Sequence, residues 1–332
     1  MHLNPNHIIE LASAFYGSCI LFAASDLGVF RQLATMESSD AESLAKALKL
    51  DPRGTVLLLD ACVAENLLVK EGAVYRNTPE TGAFLVPGSP GNLSDAIRYN
   101  RDVYEAWGNL AKMVQTGKPV EKPEIHLGGD ENRTRTFVLS MHARAMAIGR
   151  ALIPLLDLKG CRKVLDLGGG PGTFSVLLAQ ANQDITCTVM DLPAVIKIAE
   201  ELIEQQGMRD RVKTMSGDYH NALFPKDNDV VNLFGILHQE SSESIQDIFC
   251  RACGALTPSG RIHVMDLMTD ASHTAPKFSA LFAVNMALTT ENGWVFSDQE
   301  LSEWLERAGF CDINIRPLPP PMPHWLASAR KS

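Results

Sequence analysis

The stretch Val164-Leu-Asp-Leu-Gly-Gly-Gly-Pro-Gly-Thr-Phe174 decides the fold of this chain. Its first residues are apolar and predict a buried strand, its glycines predict a loop, and a helical pattern follows from Thr173. Gly168, Gly170 and Gly172 carry no Cβ, so the backbone can pass close to a bound molecule. A strand that ends in such a loop and continues as a helix is typical of α/β folds that bind nucleosides.

Strands alternate with helices from residue 161 to the carboxyl end of the chain. The predicted strands cover residues 163–167, 185–190, 212–215, 230–233 and 261–266, and two more at 313–315 and 325–329 close the pattern. The alternation predicts a Rossmann-like, doubly wound, mainly parallel sheet of the α/β class. In such a sheet the ligand lies at the carboxyl ends of the strands.

An acidic residue follows the second strand of this region. Asp191 stands where a carboxylate accepts hydrogen bonds from ribose hydroxyls. The dinucleotide fingerprint would need Gly or Ala at the position of Thr173, and no Walker lysine follows the loop. A Gly-x-Gly-x-Gly loop with Asp166 just before it, where that acid can organise the loop, instead suits S-adenosylmethionine, which carries no phosphate. The sequence therefore predicts this cofactor.

The first 93 residues follow a different pattern, of short amphipathic helices and one β-hairpin. Ser39-Asp40 and Asp51-Pro52 are typical helix starts, and Glu71-Gly72 is the predicted hairpin turn. The pattern is that of a winged helix, which serves either DNA binding or packing and dimerisation. Arg53 is the only basic residue from 51 to 68, so the DNA alternative is disfavoured. We expect domains at 1–93 and 158–332, with a helical connector at 94–157.

The composition places the chain among globular proteins and restricts its partners. It has 332 residues, with 30 Lys and Arg against 39 Asp and Glu, which gives a net charge of -9. Such a surface repels nucleic acid and anionic lipid, so we expect neither as a partner. The apolar stretch 11–24 is too short to cross a membrane, and 7 scattered cysteines are typical of reduced thiols. We therefore expect a cytoplasmic protein. Cys250 and Cys253 have metal-site spacing but no second pair nearby, so no metal is predicted.

Several motifs together resemble a known family. They are Asp166-Leu-Gly-Gly-Gly-Pro-Gly172, Met190-Asp191-Leu-Pro193, Ser216-Gly-Asp-Tyr219, Ile236-Leu-His238, Val264-Met-Asp266 and Glu291-Asn-Gly293. The sequence resembles class I S-adenosylmethionine-dependent methyltransferases, and more narrowly the caffeic-acid and hydroxyindole O-methyltransferases with their bacterial relatives. The resemblance implies a winged-helix-like dimerisation domain joined to a methyltransferase domain, and hence a homodimer.

The resemblance also implies roles for individual residues at the cofactor. Gly168 would contact the methionine part, and Asp191 would bind the ribose. Asp218 would accept a hydrogen bond from the adenine amino group, while Tyr219 packs on the adenine ring. The family often has a lysine near the adenine where this chain has Phe234, so a stacking contact is expected there instead.

His238, just after the fourth strand, is the candidate general base. An imidazole can take a proton from a hydroxyl near neutral pH. In the family's strand order Asp266 lies next to it and would hold the required tautomer. The second glutamate of the plant enzymes aligns with Val295. Either Asp266 acts alone, or Glu291 or Glu240 moves in, or the acceptor is a thiol, which ionises more readily than a phenol.

Helical segments outside the sheet supply the candidate acceptor pocket. The candidates for substrate binding are Trp107, Met141, His142 and Asn285, with Tyr104, Phe282 and Met286 beside them. Apolar residues at helical spacing also occur in plain core packing, and His142 suits an ordinary surface position equally well. We expect a methyltransferase for a small hydroxylated, aromatic acceptor. Open alternatives are a thiol, nitrogen or carbon acceptor, a cofactor-binding protein without turnover, and a winged-helix regulator.

Overall fold

A computed structural model describes residues 3–89, 91–122 and 127–332, without the side chains of residues 95 and 96. The chain divides into two compact units, Met1–Asp102 and Val103–Ser332, which are described separately below. The finer division at residues 93 and 157 stays a prediction.

The first unit consists of helices and a small sheet. The helices are α1 (Asn6–Ser13), α2 (Phe15–Asp26), α3 (Val29–Met36), α4 (Ala41–Leu48), α5 (Pro52–Ala64), α6 (Pro79–Phe84) and α7 (Ser94–Asp102). The strands β1 (Ser39–Asp40), β2 (Leu68–Glu71) and β3 (Val74–Asn77) pair in the order β1-β3-β2. Asp40 and Asp51 accept backbone hydrogen bonds and so cap α4 and α5. Strands β2 and β3 form a hairpin whose turn lies at the predicted Glu71-Gly72.

The amino-terminal helices correct one prediction. Helical structure runs almost without interruption through Asn6–Asp26, 21 residues that are long and apolar enough to cross a membrane by length and composition. The expectation of a stretch too short for a bilayer is therefore wrong. Gly17 and Ser18 interrupt the apolar composition of the sequence, but they do not end the helix. Only 6% of the most apolar window is buried in this single chain.

The second unit begins with helices α8 (Tyr104–Gly108), α9 (Leu110–Thr116) and α10 (Glu131–Leu152). Within the predicted helical connector, residues at helical spacing predict one helix over residues 94–115. The structure instead has separate helices there, with breaks at Val103 and Asn109, whose backbones serve as the caps between them. Short helices are stabilised by tertiary packing more than by their own sequence, which explains why the helical pattern overestimated this segment.

A seven-stranded sheet forms the centre of the second unit. Its strands are β4 (Lys163–Leu167), β5 (Thr186–Asp191), β6 (Val212–Ser216), β7 (Asn228–Phe234), β8 (Leu256–Asp266), β9 (Phe310–Pro317) and β10 (Trp325–Lys331). The order is β6-β5-β4-β7-β8-β10-β9, and only β10 pairs antiparallel, with β8 and β9. This arrangement confirms the predicted mainly parallel α/β fold.

Helices cover both faces of this sheet. They include α11 (Thr173–Ala181), α12 (Pro193–Gln205), α13 (Ser242–Ala255) and α15 (Asp298–Arg307), whereas α14 (Lys277–Thr289) packs against α8 and α9. One core cluster packs α10, α11 and α12 on one face, and a second packs α13 and α15 on the other. The strand order reverses at β4, between β5 and β7, so the carboxyl ends of these strands form the crevice where such sheets bind ligands.

Candidate active site

The glycine loop after β4 has a backbone that other residues rarely adopt. Gly168, Gly170 and Gly172 have φ values of 60°, 54° and 71°. A Cβ on Gly168 would stand 2.7 Å from Cγ2 of Ile236, whereas a Cβ on Gly170 would meet nothing within 4 Å. The loop is therefore closely packed at its first glycine and open at its second.

Asp191 at the end of β5 is tied to this loop. Its Oδ2 accepts a hydrogen bond from the backbone N of Gly170 at 2.8 Å, and its Oδ1 accepts one from Leu192 at 2.7 Å. Burial raises the pKa of Asp191 to about 6, although the two backbone bonds oppose that shift. The carboxylate thus stands beside the open part of the loop, where a sugar diol would be bound.

Asp166 lies beneath the loop in the protein interior. Its Oδ2 accepts a hydrogen bond from Ser175 Oγ of α11 at 2.6 Å. Its Oδ1 has no hydrogen-bond partner among the described residues. Burial raises the pKa of Asp166 to about 7. A Cβ on Gly169 would stand 2.8 Å from the Asp166 carboxyl carbon, so Asp166 supports the loop from below.

The segment after β6 carries the residues expected at adenine. Asp218 Oδ1 accepts hydrogen bonds from the backbone N of His220 at 2.9 Å and from its ring Nδ1 at 2.6 Å. Tyr219 donates its hydroxyl to Glu240 Oε1 at 2.7 Å, and burial raises the pKa of that hydroxyl well above its usual value. Asp218 is therefore held by His220, which the sequence did not single out, and Tyr219 is held by Glu240, which the sequence offered as a partner of His238 instead.

Phe234 lies elsewhere. It is buried in the core cluster that contains α11, with its ring 5.2 Å from that of Phe174 in an edge-to-face arrangement. Tyr219 packs against the cluster on the other face of the sheet. The structure does not bring Phe234 to Tyr219, because alternate residues of a strand point to opposite faces and Phe234 shares the face of Val230.

His238 and Asp266 form a hydrogen-bonded pair at the ends of β7 and β8. Nδ1 of His238 lies 2.7 Å from Oδ1 of Asp266, whose side chain is only 1% exposed. Asp266 also accepts backbone hydrogen bonds from Leu237, His238 and Leu267. With Nδ1 donating to the carboxylate, Nε2 is left as the acceptor nitrogen, and it bonds to no other described residue.

The alternatives to Asp266 lie apart from this pair. Glu240 is buried and occupied by Tyr219 and His220, Val295 is buried in the core, and Glu291 is exposed. Asp266 is therefore the carboxylate that the structure brings to His238.

Helix α14 places further predicted residues around the pair. The Phe282 ring stands edge-on to the His238 ring at 5.2 Å. Asn285, one turn further on, accepts a hydrogen bond from the Trp107 indole at 2.8 Å. His142 instead lies with Nδ1 2.7 Å from Thr173 Oγ1, at the start of α11, and burial lowers its pKa. Of the remaining candidates, Met141 is half-buried, Tyr104 is exposed and Met286 is buried.

Sequence reasoning missed two histidines near the site. His220 bridges Asp218 and Glu240, and its only signal was its position after Tyr219 in the Ser-Gly-Asp-Tyr motif. His324 precedes Trp325, which pairs with Asp266 in the sheet. Burial lowers the pKa of His324 to about 4, and its charge would interact with both Asp266 and His238. No local pattern in the proline-rich segment before β10 marks it.

The residues at this crevice fit S-adenosylmethionine. The backbone is open at Gly170, the Asp191 carboxylate stands beside it and Asp218 follows the next strand, which suits a nucleoside ligand without a phosphate. Fold and site together define an S-adenosylmethionine-dependent methyltransferase.

Comparison with known proteins narrows this class. A model of the O-methyltransferase domain matches residues 107–311, and a model of the O-methyltransferase dimerisation domain matches residues 9–87. The chain belongs to the O-methyltransferase family and is a methyltransferase enzyme.

Individual relatives agree with this assignment over nearly the whole chain. It is 30% identical over 316 residues to 3-hydroxy-5-methyl-1-naphthoate 3-O-methyltransferase of Streptomyces sahachiroi, covering 93% of this chain and 90% of that protein. It is 32% identical over 332 residues to the tetracenomycin polyketide synthesis 8-O-methyl transferase TcmO of Streptomyces glaucescens, a match that covers 98% of this chain and 97% of that protein. The structure of human N-acetylserotonin methyltransferase with S-adenosylmethionine matches with a TM-score of 0.89 at 26% identity, covering 98% and 97%.

Proposed function

We propose that this enzyme methylates the hydroxyl group of a small aromatic acceptor and that His238 is the general base. The observation that carries the proposal is the 2.7 Å bond from His238 Nδ1 to the buried Asp266 carboxylate. It fixes the imidazole so that Nε2 faces away from the acid with a lone pair available. Phe282, edge-on to the same ring, supplies an apolar wall that suits an aromatic acceptor.

The chemistry expected of these residues is proton removal and positioning. Bound S-adenosylmethionine supplies a methyl group that is already activated on a sulfonium. His238 would take the proton of the acceptor hydroxyl at Nε2 as the oxygen becomes nucleophilic. Asp266 would stabilise the imidazolium that results, and it stays in place through its backbone bonds. Trp107 and Asn285, joined by their hydrogen bond, would orient the acceptor ring.

For the cofactor, we propose that Gly168 and Gly170 line the methionine end and that Asp191 binds the ribose. Asp218 would accept from the adenine amino group beside Tyr219. The support is the bond from Gly170 to Asp191 and the open space at Gly170.

The acceptor class is supported by the relatives as well as by the Phe282 ring beside His238. Relatives are named for 3-hydroxy-5-methyl-1-naphthoate and for acetylserotonin. The direct experiment uses methyl-labelled S-adenosylmethionine with hydroxynaphthoates and N-acetylserotonin, and with matched aromatic thiols and amines. We expect a labelled methyl ether. Faster labelling of a thiol or amine would contradict the proposal.

The role of His238 has its own test. We expect His238→Ala to lower kcat at least about a hundredfold, the usual contribution of a general base. Its affinity for S-adenosylhomocysteine should stay that of the wild type, because the imidazole is not assigned to the cofactor. An unchanged kcat would remove His238 from the mechanism.

We also propose a homodimer formed through the first unit. The amino-terminal helices expose Ile8, Ile9, Leu11, Phe15 and Tyr16. Several large apolar side chains exposed on one short segment are typical of an interface, and the segment from residue 9 falls in the dimerisation domain model. Sedimentation should show two copies for the wild type and one for Ile8→Glu/Leu11→Glu.

The same apolar segment leaves a membrane as the competing partner, and measurements on the wild type separate the two. Flotation of the wild type with vesicles of neutral lipid, together with a monomer in sedimentation, would contradict the dimer proposal.

We further propose a cytoplasmic location, which rests on composition and on the free cysteines that the structure describes.

A further inference from the structure

The segment after β6 and the turn after β7 are joined by one hydrogen-bond network. His220 Nδ1 lies 2.6 Å from Asp218 Oδ1, and His220 Nε2 lies 2.8 Å from Glu240 Oε2. The imidazole thus bridges two carboxylates. Since each carboxylate only accepts hydrogen bonds, both ring nitrogens act as donors, which favours the protonated ring.

The two ends of this bridge differ in burial. The Glu240 side chain is 5% exposed, whereas those of His220 and Asp218 are 49% and 40% exposed. Glu240 is fixed further by Ser244 Oγ at 2.6 Å and Tyr219 OH at 2.7 Å. The bridge is therefore anchored at Glu240 and reaches outward to Asp218.

The electrostatics of the bridge agree with this arrangement. Burial alone would lower the pKa of His220, but its hydrogen bonds to Glu240 and Asp218 outweigh burial and raise that pKa. Burial would likewise raise the pKa of Asp218, and the hydrogen bonds from His220 outweigh it and lower the pKa. Asp218 is thereby kept ionised and ready to accept hydrogen bonds.

The two carboxylate oxygens of Asp218 have different hydrogen-bond partners. The backbone N and ring Nδ1 of His220 both bond to Oδ1. A carboxylate held at one oxygen keeps a fixed orientation, and Oδ2 remains for another donor. In the site proposed above, that donor is the amino group of adenine.

We propose that His220 is a positioning residue for the cofactor: anchored by Glu240, it orients Asp218 toward the adenine amino group and so contributes to recognition of adenine. This inference rests on the proposed assignment of Asp218. It predicts that His220 matters for ligands that carry the amino group and is neutral for ligands that lack it.

The experiment compares two ligands by calorimetry on the full chain. One is S-adenosylhomocysteine, and the other is S-inosylhomocysteine, which has an oxo group where adenine has its amino group. We expect His220→Phe, which keeps a ring on Tyr219 but removes both donors, to weaken S-adenosylhomocysteine about fivefold. A fivefold change corresponds to about 1 kcal/mol, which is the free energy that one partly exposed ion pair contributes. Affinity for the inosine ligand should change less than about twofold.

A matched pair of variants separates the two ends of the bridge. The side-chain NH2 of Asn stands about where Nδ1 of a histidine stands, so Asn keeps the donor to Asp218. The side-chain NH2 of Gln stands about where Nε2 stands, so Gln keeps the donor to Glu240. His220→Asn should keep part of the adenine preference, because its amide still reaches Asp218 but no longer reaches Glu240. His220→Gln should lose the preference as His220→Phe does. The reverse order, or an unchanged preference in His220→Phe, would overturn the proposal.

Asp218→Asn distinguishes failure of this inference from failure of the site assignment. If Asp218→Asn leaves the adenine preference intact, the assignment of Asp218 is wrong. If Asp218→Asn removes the preference and His220→Phe does not, only the bridge is wrong. In the Asp218→Asn background His220→Phe should have no further effect, since the two residues act as one. Thermal melting checks folding, and should His220→Phe not fold, the Asn and Gln variants decide.

Discussion

His238 and His220 both hydrogen bond to carboxylates, but they meet different numbers of them. His238 meets Asp266 through Nδ1 and keeps Nε2 as an acceptor. His220 meets Asp218 and Glu240, one at each nitrogen. An imidazole with one carboxylate can take up a proton during a reaction, whereas an imidazole between two carboxylates already holds it. The number of carboxylates therefore separates a base from a positioning group.

The largest effect that tests this comparison is expected at Asp266. Asp266→Asn keeps the size of the side chain but removes the charge that stabilises the His238 imidazolium. We expect kcat to fall about a hundredfold, with S-adenosylhomocysteine affinity retained. Glu240→Gln is the matched variant at the other histidine, and it should act on cofactor KM more than on kcat. Equal effects on kcat would break the comparison.

The next effect concerns Asp191, the carboxylate at the end of β5. Asp191→Asn removes the charge that would accept from the ribose. We expect S-adenosylhomocysteine affinity to fall about thirtyfold, since a hydrogen bond to a charged group contributes about 2 kcal/mol. At saturating cofactor kcat should stay within about threefold of wild type. A loss confined to kcat would place Asp191 with His238 instead.

A smaller effect is expected where the loop meets the turn that carries His238. Gly168→Ala would place a methyl group 2.7 Å from Ile236 at a φ of 60°. Left-handed backbone costs a non-glycine residue about 1 kcal/mol, so cofactor affinity should fall about tenfold once the contact is added. Gly254→Ala, on a helix where a Cβ meets nothing within 4 Å, is the control and should bind normally. Normal binding in both variants would show that the loop tolerates the clash.

The smallest effect concerns Asp166, a buried carboxylate that hydrogen bonds to Ser175 and to no histidine that the structure describes. Burial raises the pKa of Asp166 to about 7, whereas an unfolded Asp titrates near about 3.9. Between these values the folded chain binds more protons, so the contribution of Asp166 to the free energy of unfolding falls as pH rises from about 4 to about 7.

Asp166→Asn lacks this titration, which makes the difference between variant and wild type the measured quantity. From pH 5 to pH 8 the Tm of Asp166→Asn should rise relative to wild type by at least about 2 °C, the change that about 1 kcal/mol produces in a domain of this size. A constant difference across this range would mean that Asp166 keeps its charge without a cationic neighbour.

Local sequence predicted the glycine loop and the strand end that carries Asp191. The glycine loop and Asp191 follow directly from strand ends and residue types, because the carboxyl ends of parallel strands meet at one edge. The pairing of His238 with Asp266 needed the strand order of the family, which the observed β7-β8 neighbours match. The mainly parallel fold is likewise confirmed.

Other features depend on contacts that no local pattern encodes. The Glu240 and His220 bond joins residues from two different loops. The break at Val103 follows no helix breaker, whereas the break at Asn109 follows Gly108 and so had a local signal. Phe234 was predictable in principle, because counting alternate residues from Val230 places it in the core. The roles of all these residues in binding and catalysis stay predictions until the variants are measured.

Trp294 is hydrogen bonded both to His238 and to Glu240, the anchor of His220. This connection restricts which substitutions can change the acceptor without affecting the cofactor. The backbone N of Trp294 donates to the carbonyl of His238, and its indole donates to the carbonyl of Glu240. A mutation that reshapes the segment after β8 to admit a new acceptor will therefore also move the anchor of the adenine bridge. We expect that variants selected for new acceptors in this segment will inherit altered cofactor affinity as a correlated trait.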